Sequence, residues 1–140
     1  MADLVDDLLI EAGMALLRAD TGLTIYPDLD GVTPDTAAPP YVRVYPYIER
    51  PPDAGGNNLN GTSGTWTVRW ICHCVAANER AATAVAMRVR VALLDARPTV
   101  AGRECGLIRH DGSAPPRRDS DLGYQVFDLI EMYRLTSTPA

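Results

Sequence analysis

The sequence has no lysine and lacks the short motifs that mark the common classes of active site. All 13 of its basic residues, among 140 in total, are arginine, so the lysine that holds phosphate in a P-loop is missing. None of the patterns G-x-G-x-x-G, G-x-x-x-x-G-K-[ST], H-E-x-x-H or G-x-S-x-G occurs. The paired H-x-E and P-C-x-x-C signature of zinc deaminases is also missing. The sequence therefore favours a protein that is not an enzyme.

Positive charge and long apolar runs are scarce as well. The formal net charge is -5 and the pI is about 4.9, which disfavours a protein whose task is to neutralise nucleic-acid phosphates. No apolar run approaches the ~20 residues that span a bilayer, and the first residues are acidic where a secretion signal would be basic. We expect one soluble domain over residues 1–140, made in the cytoplasm and without a membrane partner.

Cysteine is rare, but two of the three cysteines stand close together in the stretch WTVRWICHC, which ends at Cys74. In a strand, Cys72 and Cys74 share one face and His73 points to the other. A disulfide between the two cysteines would strain the strand. A zinc site would have to be completed by Cys105 and His110, which do not form a second pair of ligands. The pattern predicts buried cysteines that fill a strand face, with a metal or thiol site as the alternative.

Two further hints of chemistry have simpler explanations. His110 and Asp111 are adjacent in a glycine-containing stretch, which is more typical of a turn than of a catalytic pair. Gly55 and Gly56 lie in a polar stretch that predicts a flexible tip. We therefore predict no catalytic, cofactor-binding or metal-binding residue.

The order of elements predicts an α+β fold in which a small mixed or antiparallel sheet is packed by two helices, with a long β-hairpin or loop. Asp3 is expected to cap a helix that ends near Arg18, and Asn78 a second helix that ends before Pro98. Pro46 suggests an edge or a bulge in its strand. Strands are predicted over residues 22–26, 41–49, 65–76, 103–109 and 124–136, with loops over residues 50–64 and 110–122.

Two elements carry apolar residues on both sides. One stripe of the second helix should lie on the sheet, and a second stripe of Met87, Val91 and Leu94 needs another cover, either the first helix or a neighbouring subunit. In the last strand Phe127 and Tyr133 lie on one face, whereas Val126, Ile130 and Met132 lie on the other. Because both elements are apolar on two sides, the sequence predicts self-association. The five candidate subunit-interface residues are Met87, Val91, Leu94, Phe127 and Tyr133.

Several segments of the sequence together resemble the tail terminator proteins of long-tailed bacteriophages, the lambda-type minor tail proteins and their relatives. The segments are YVRVYPYIERPPD, WTVRWICHCVA, NERAATAVAMRVRVALLDARP, VAGRECGLIR and PPRRDSDLGYQVFDLIEMYRLTS. The resemblance implies a virion structural protein that forms a ring, expected to be a hexamer, on the end of the tail tube. It further implies that the ring stops tube polymerisation, joins the head connector and lets DNA pass through its lumen without specific binding. A head-closure or other head-tail neck protein is the alternative.

The polar loop predicted over residues 50–64 is the candidate contact with the tail tube. It is too rich in glycine and asparagine to fold on itself, and docking could order it. The residues expected to contact the tube are Arg50, Asp53, Asn57, Asn58 and Asn60.

Overall fold

The computed structural model describes residues 2–27, 38–49, 65–119 and 126–139. These residues form two helices, α1 (Ala2–Arg18) and α2 (Glu79–Leu93). Their six strands are β1 (Ile25–Tyr26), β2 (Tyr41–Glu49), β3 (Trp66–Ala76), β4 (Arg103–Cys105), β5 (Arg109–Asp119) and β6 (Val126–Pro139). The predicted α+β class is confirmed.

The strands form one mixed sheet in the order β1-β2-β3-β6-β4, and β5 also pairs with β6. Only the short β1–β2 pairing is parallel, whereas β2–β3, β3–β6, β4–β6 and β5–β6 are antiparallel. Among the described residues, β1 pairs with Val42 and Arg43 of β2. Pro46 therefore lies where β2 has β3 on one side and no described strand on the other, which agrees with the predicted edge.

The core lies between the sheet and the helices. Along β3, buried and half-buried residues alternate, as the period of a strand requires when one face is covered. Trp70, Cys72 and Cys74 are fully buried on the covered face, and Tyr133 of β6 pairs with Trp70. The prediction that Cys72 and Cys74 are buried on one face of β3 is thus confirmed.

Helix α1 is attached to the sheet by a close contact with Trp70. The indole Nε1 donates a hydrogen bond to the carbonyl oxygen of Ile10 at 3.1 Å. Gly13 faces the same ring, and a Cβ atom built there would lie 2.3 Å from Trp70 Cε2. Only glycine lets the helix backbone come this close to the indole. Because α1 already begins at Ala2, Asp3 lies within the first turn and not at the predicted cap position.

Helix α2 begins as predicted at an asparagine cap. The side chain of Asn78 accepts a hydrogen bond from the backbone N–H of Ala81 at 2.8 Å, which satisfies one of the donors left free at a helix N-terminus. The stripe that faces the sheet is fully or almost fully buried. Its residues are Ala82, Val85, Ala86, Val89 and Leu93.

The prediction of a loop over residues 110–122 was wrong over most of that range, because β5 extends from Arg109 to Asp119. Its sequence has little apolar alternation, and its pairing with β6 has irregularities between His110 and Gly112 and between Ala114 and Arg117. The second irregularity contains Pro115 and Pro116, which cannot donate to a ladder and are tolerated at edges and bulges. β5 therefore forms through its partner strand despite a sequence typical of a loop.

Candidate interaction surfaces

The cysteines at the end of β3 are buried thiols. Cys72, Cys74 and Cys105 are all free, and the first two have no exposed surface. Burial raises the pKa of the Cys72 thiol to about 12 and also raises the pKa of Cys74. At neutral pH both are protonated, so neither is the thiolate that nucleophilic attack or metal binding requires. Among the described residues, no three His, Cys, Asp or Glu side chains are grouped so that they could hold a metal ion.

The two histidines lie on opposite faces of the sheet. His73 Nδ1 is 2.8 Å from Asp128 Oδ2, and the ring stands edge-on to Tyr45. His110 Nε2 is 2.5 Å from Glu131 Oε2, and its ring stands edge-on to Tyr133. His73 points away from both neighbouring cysteines, as predicted from the strand period.

His110 and Asp111 do not act as a pair. While His110 contacts Glu131, Asp111 accepts hydrogen bonds at 2.9 Å from Arg69 Nε and from Arg134 Nη1. These bonds, above all the one from Arg69, lower the pKa of the Asp111 carboxyl group. Arg69 also pairs with Glu49. The resulting network joins β2, β3, β5 and β6, and sequence reasoning missed it because its members are far apart along the chain.

The sheet face opposite the helices exposes two tyrosines. Tyr45 and Tyr47 retain 49% and 45% exposure. Tyr45 pairs with Ile71, which pairs with Met132, and both of these side chains are half-buried. This face carries apolar side chains beside an arginine–carboxylate network.

Helix α2 has an exposed apolar surface on the side away from the sheet. Met87 is 56% exposed and Val91 is 82% exposed. The arginines Arg80 and Arg90 are exposed on the same helix. Helix α1 of the same chain therefore does not cover Met87 and Val91, which was one of the two alternatives left open by the sequence. We call Met87, Val91, Arg80 and Arg90 the α2 outer face.

The other three residues predicted at a subunit interface lie differently. Tyr133 is fully buried inside the core of the single chain, so it does not belong to a surface and is not retained as an interface residue. Leu94 and Phe127 are half-buried and pack against the core. The predicted tube-contact residues Arg50, Asp53, Asn57, Asn58 and Asn60 lie outside the described residues.

An exposed patch on α1 was missed from the sequence. Leu8, which follows the apolar rhythm of the helix, is 41% exposed. Asp7 and Glu11 are exposed beside it, and Glu11 pairs with Arg18. The adjacent Leu9 is fully buried. We call Asp7, Leu8 and Glu11 the α1 outer face.

A shallow pocket of about 240 Å³ separates α2 from the segment around β1. Leu23, Pro40 and Ala84 contribute to its lining, and Arg88 stands at one side. The Arg88 guanidinium is held there by Asp20, and Arg88 Nε donates to Asp20 Oδ2 at 2.9 Å. The pocket is continuous with exposed helix surface, because Ala84 is itself exposed.

The described residues thus form an α+β fold with exposed apolar surfaces. None of the helices in the described part of the chain is long and apolar enough to cross a membrane.

Comparison with known proteins adds a similarity of fold. Neither a protein-family model nor a curated protein sequence matches the chain. Among solved structures, the chain is similar to a component of the virion of a native gene transfer agent particle, with a TM-score of 0.71 and 18% sequence identity. The match covers 96% of this chain and 97% of the other. At this identity the likeness shows a shared fold.

Proposed function

We propose that this protein is a structural component of a phage-type virion, namely a tail terminator that forms a ring on the end of the tail tube. The observation that carries the proposal is the fold likeness to a gene transfer agent virion component, which covers nearly the full length of both chains. The resemblance of the sequence to tail terminators supports the same role. In this proposal the ring contains six copies, stops polymerisation of the tube and joins the head connector.

The exposed surfaces support a protein that assembles with copies of itself. A ring requires one patch of each copy to meet a different patch on the next. Met87 and Val91 on α2 are exposed in the single chain, and burial of such apolar surface against a neighbour would stabilise a ring. The acidic chain, with its net charge of -5, also fits a ring through which DNA passes without specific binding.

A non-enzymatic role is supported by the state of the groups that could have carried chemistry. The thiols of Cys72 and Cys74 are buried and protonated. His73 and His110 each contact a carboxylate, but they lie on opposite faces of the sheet. In the described part of the chain the thiols of Cys72 and Cys74 contact the backbone carbonyl oxygens of Trp70 and Cys72, and neither is hydrogen-bonded to a histidine.

The segment over residues 50–64 remains the proposed contact with the tail tube, through Arg50, Asp53 and the asparagines named above. A head-closure or other neck protein is the second candidate. The fold likeness is to a component of a whole particle, so it supports both positions in the virion. The virion is the proposed location in either case, after assembly in the host cytoplasm.

Substitution of the α2 outer face is expected to weaken self-association. We predict that Met87→Glu and Val91→Glu each reduce the association constant about 10- to 100-fold, because a charged carboxylate would replace an apolar side chain in the buried contact. Both positions are exposed in the single chain, so the thermal unfolding midpoint should stay close to the wild-type value. Sedimentation over a concentration series measures the association, and circular dichroism measures folding.

Tyr47→Glu is the matched control, since Tyr47 is nearly as exposed as Met87 but lies on the opposite face of the sheet. Wild-type association by both α2 variants would contradict the proposed role of this helix. Loss of folding in these variants would contradict the exposure of the two side chains.

A test on tail tubes separates the two candidate functions. Tubes are assembled from purified tail-tube protein and are mixed with this protein during and after polymerisation. A terminator should shorten the tubes in the first case and appear as a ring on one end in the second, both of which electron microscopy can measure. Normal tube lengths and bare tube ends would exclude the terminator role. Binding of the head connector in the absence of tube binding would favour the head-closure role.

A further inference from the structure

The two helices carry opposite charge. Helix α1 contains Asp3, Asp6, Asp7 and Glu11 against Arg18, a net charge of -3. Helix α2 contains Arg80, Arg88 and Arg90 against Glu79, a net charge of +2. Because the whole chain has a net charge of -5, α2 is a basic element in an acidic protein.

Each helix exposes an apolar side chain among these charges. On the α1 outer face, Leu8 is 41% exposed next to Asp7. On the α2 outer face, Met87 and Val91 are 56% and 82% exposed. In the part of the chain that the structure describes, no ion pair involves Asp7, Arg80 or Arg90. These charges are therefore available to a partner.

The two helices lie toward opposite edges of the sheet. Helix α1 packs over β2 and β3, whereas α2 packs over β3, β6 and β5. In the sheet β2 lies on one side of β3, and β6 and its partner β5 lie on the other. Because the α1 and α2 outer faces lie on different parts of each copy, α1 of one copy can meet α2 of the next while its own α2 stays available to a third copy. This is the head-to-tail contact that a ring needs.

We propose that the α2 outer face binds the α1 outer face of a second copy of this chain. Leu8 of one copy packs against Met87 and Val91 of the next, and the acidic and basic side chains surround this apolar centre. The opposite charges favour the α1–α2 pairing and disfavour contacts between two copies of α1 or two copies of α2. The inference rests on the proposed ring and specifies which surfaces form it.

The contact can be tested by disulfide cross-linking in a Cys105→Ser background. Cys72 and Cys74 have no exposed surface, so the introduced thiols are the ones able to react in the folded protein. One preparation carries Leu8→Cys, and the other carries Val91→Cys with a tag that changes its size. The samples are oxidised at the concentration at which the wild type assembles, and cross-linked species are separated without reductant.

The expected result is a mixed dimer when both preparations are combined, with little dimer in either preparation alone. A Tyr47→Cys preparation replaces Leu8→Cys as the control and should give little mixed dimer, since Tyr47 has similar exposure but lies on the other face of the sheet.

Three outcomes would overturn the inference. Rings that form without the mixed dimer would overturn the α1–α2 contact and leave the proposed ring in place. Efficient dimers of Leu8→Cys or of Val91→Cys alone would show a like-with-like contact and would also overturn it. No association at any concentration, with or without tail tubes, would overturn both this contact and the proposed function.

Discussion

Replacement of Gly13 by alanine is expected to destabilise the protein by about 1–3 kcal/mol, although alanine is the better helix former. The propensity gain is at most about 1 kcal/mol. Against it stands a steric conflict, because the new Cβ atom would lie 2.3–2.6 Å from three atoms of the Trp70 indole. The indole is fully buried and is hydrogen-bonded to Ile10, so it cannot move without a shift of α1 or of the core. Urea unfolding measures the loss in the free energy of unfolding.

Gly106→Ala is the control for this prediction. A Cβ atom at Gly106 meets only the carbonyl oxygen of Thr136, at an ordinary contact distance of 3.6 Å. Combining Gly13→Ala with Trp70→Phe gives a double-mutant cycle in which the smaller ring should relieve part of the conflict. If Gly13→Ala were as stable as the wild type, or if the two changes were additive, the close helix–indole contact would be contradicted.

Replacement of Arg103 by alanine is expected to cost about 2–4 kcal/mol, which is a large effect for an arginine. Its side chain is buried, with 8% exposure. Nε donates to Ser137 Oγ and Nη2 donates to the Ser137 carbonyl oxygen, both at 2.9 Å. The guanidinium carbon lies 4.3 Å from the centre of the Trp66 ring. The change removes the hydrogen bonds, the cation–π contact and the packing between β4 and β6 together.

Arg109→Ala is the matched control, because the Arg109 side chain is 56% exposed and pairs with the exposed Asp95. Exposed pairs contribute about 0–1 kcal/mol. Arg103→Lys should recover little of the loss, since lysine lacks the planar group that bonds Ser137 twice and stacks on the indole. Equal free energies of unfolding for the Arg103 and Arg109 variants would contradict the structural role of Arg103.

The burial of Arg103 could not have been predicted from the sequence. Arginine is usually exposed, and the residues that receive it, Trp66 and Ser137, are distant along the chain. The same reason applies to the network around Asp111, whose partners Arg69 and Arg134 come from two other strands. Such groups depend on strand register, which sequence periodicity does not specify between distant segments.

Strand β5 shows a second limit of the sequence. Its residues predict a loop, because polar side chains, Gly112 and two prolines dominate them. The strand forms because backbone groups of β6 pair with it, and strand formation reflects the fit to neighbouring strands more than an intrinsic preference of the residues. In contrast, β3 was predicted closely, because its alternating apolar residues match a sheet with one covered face.

The sequence by itself determined the α+β class, the two helices, the buried face of β3 and the acidic balance of charge. These properties follow from local periodicity, capping and composition, which act within a few residues of each other. Only the tertiary structure decided whether α1 covers the second apolar stripe of α2, because that depends on where α1 packs. The contact of Gly13 with Trp70 holds α1 against the sheet. Tyr133 is buried in the core on β6, which α2 covers, whereas Leu8, Met87 and Val91 remain exposed in the single chain.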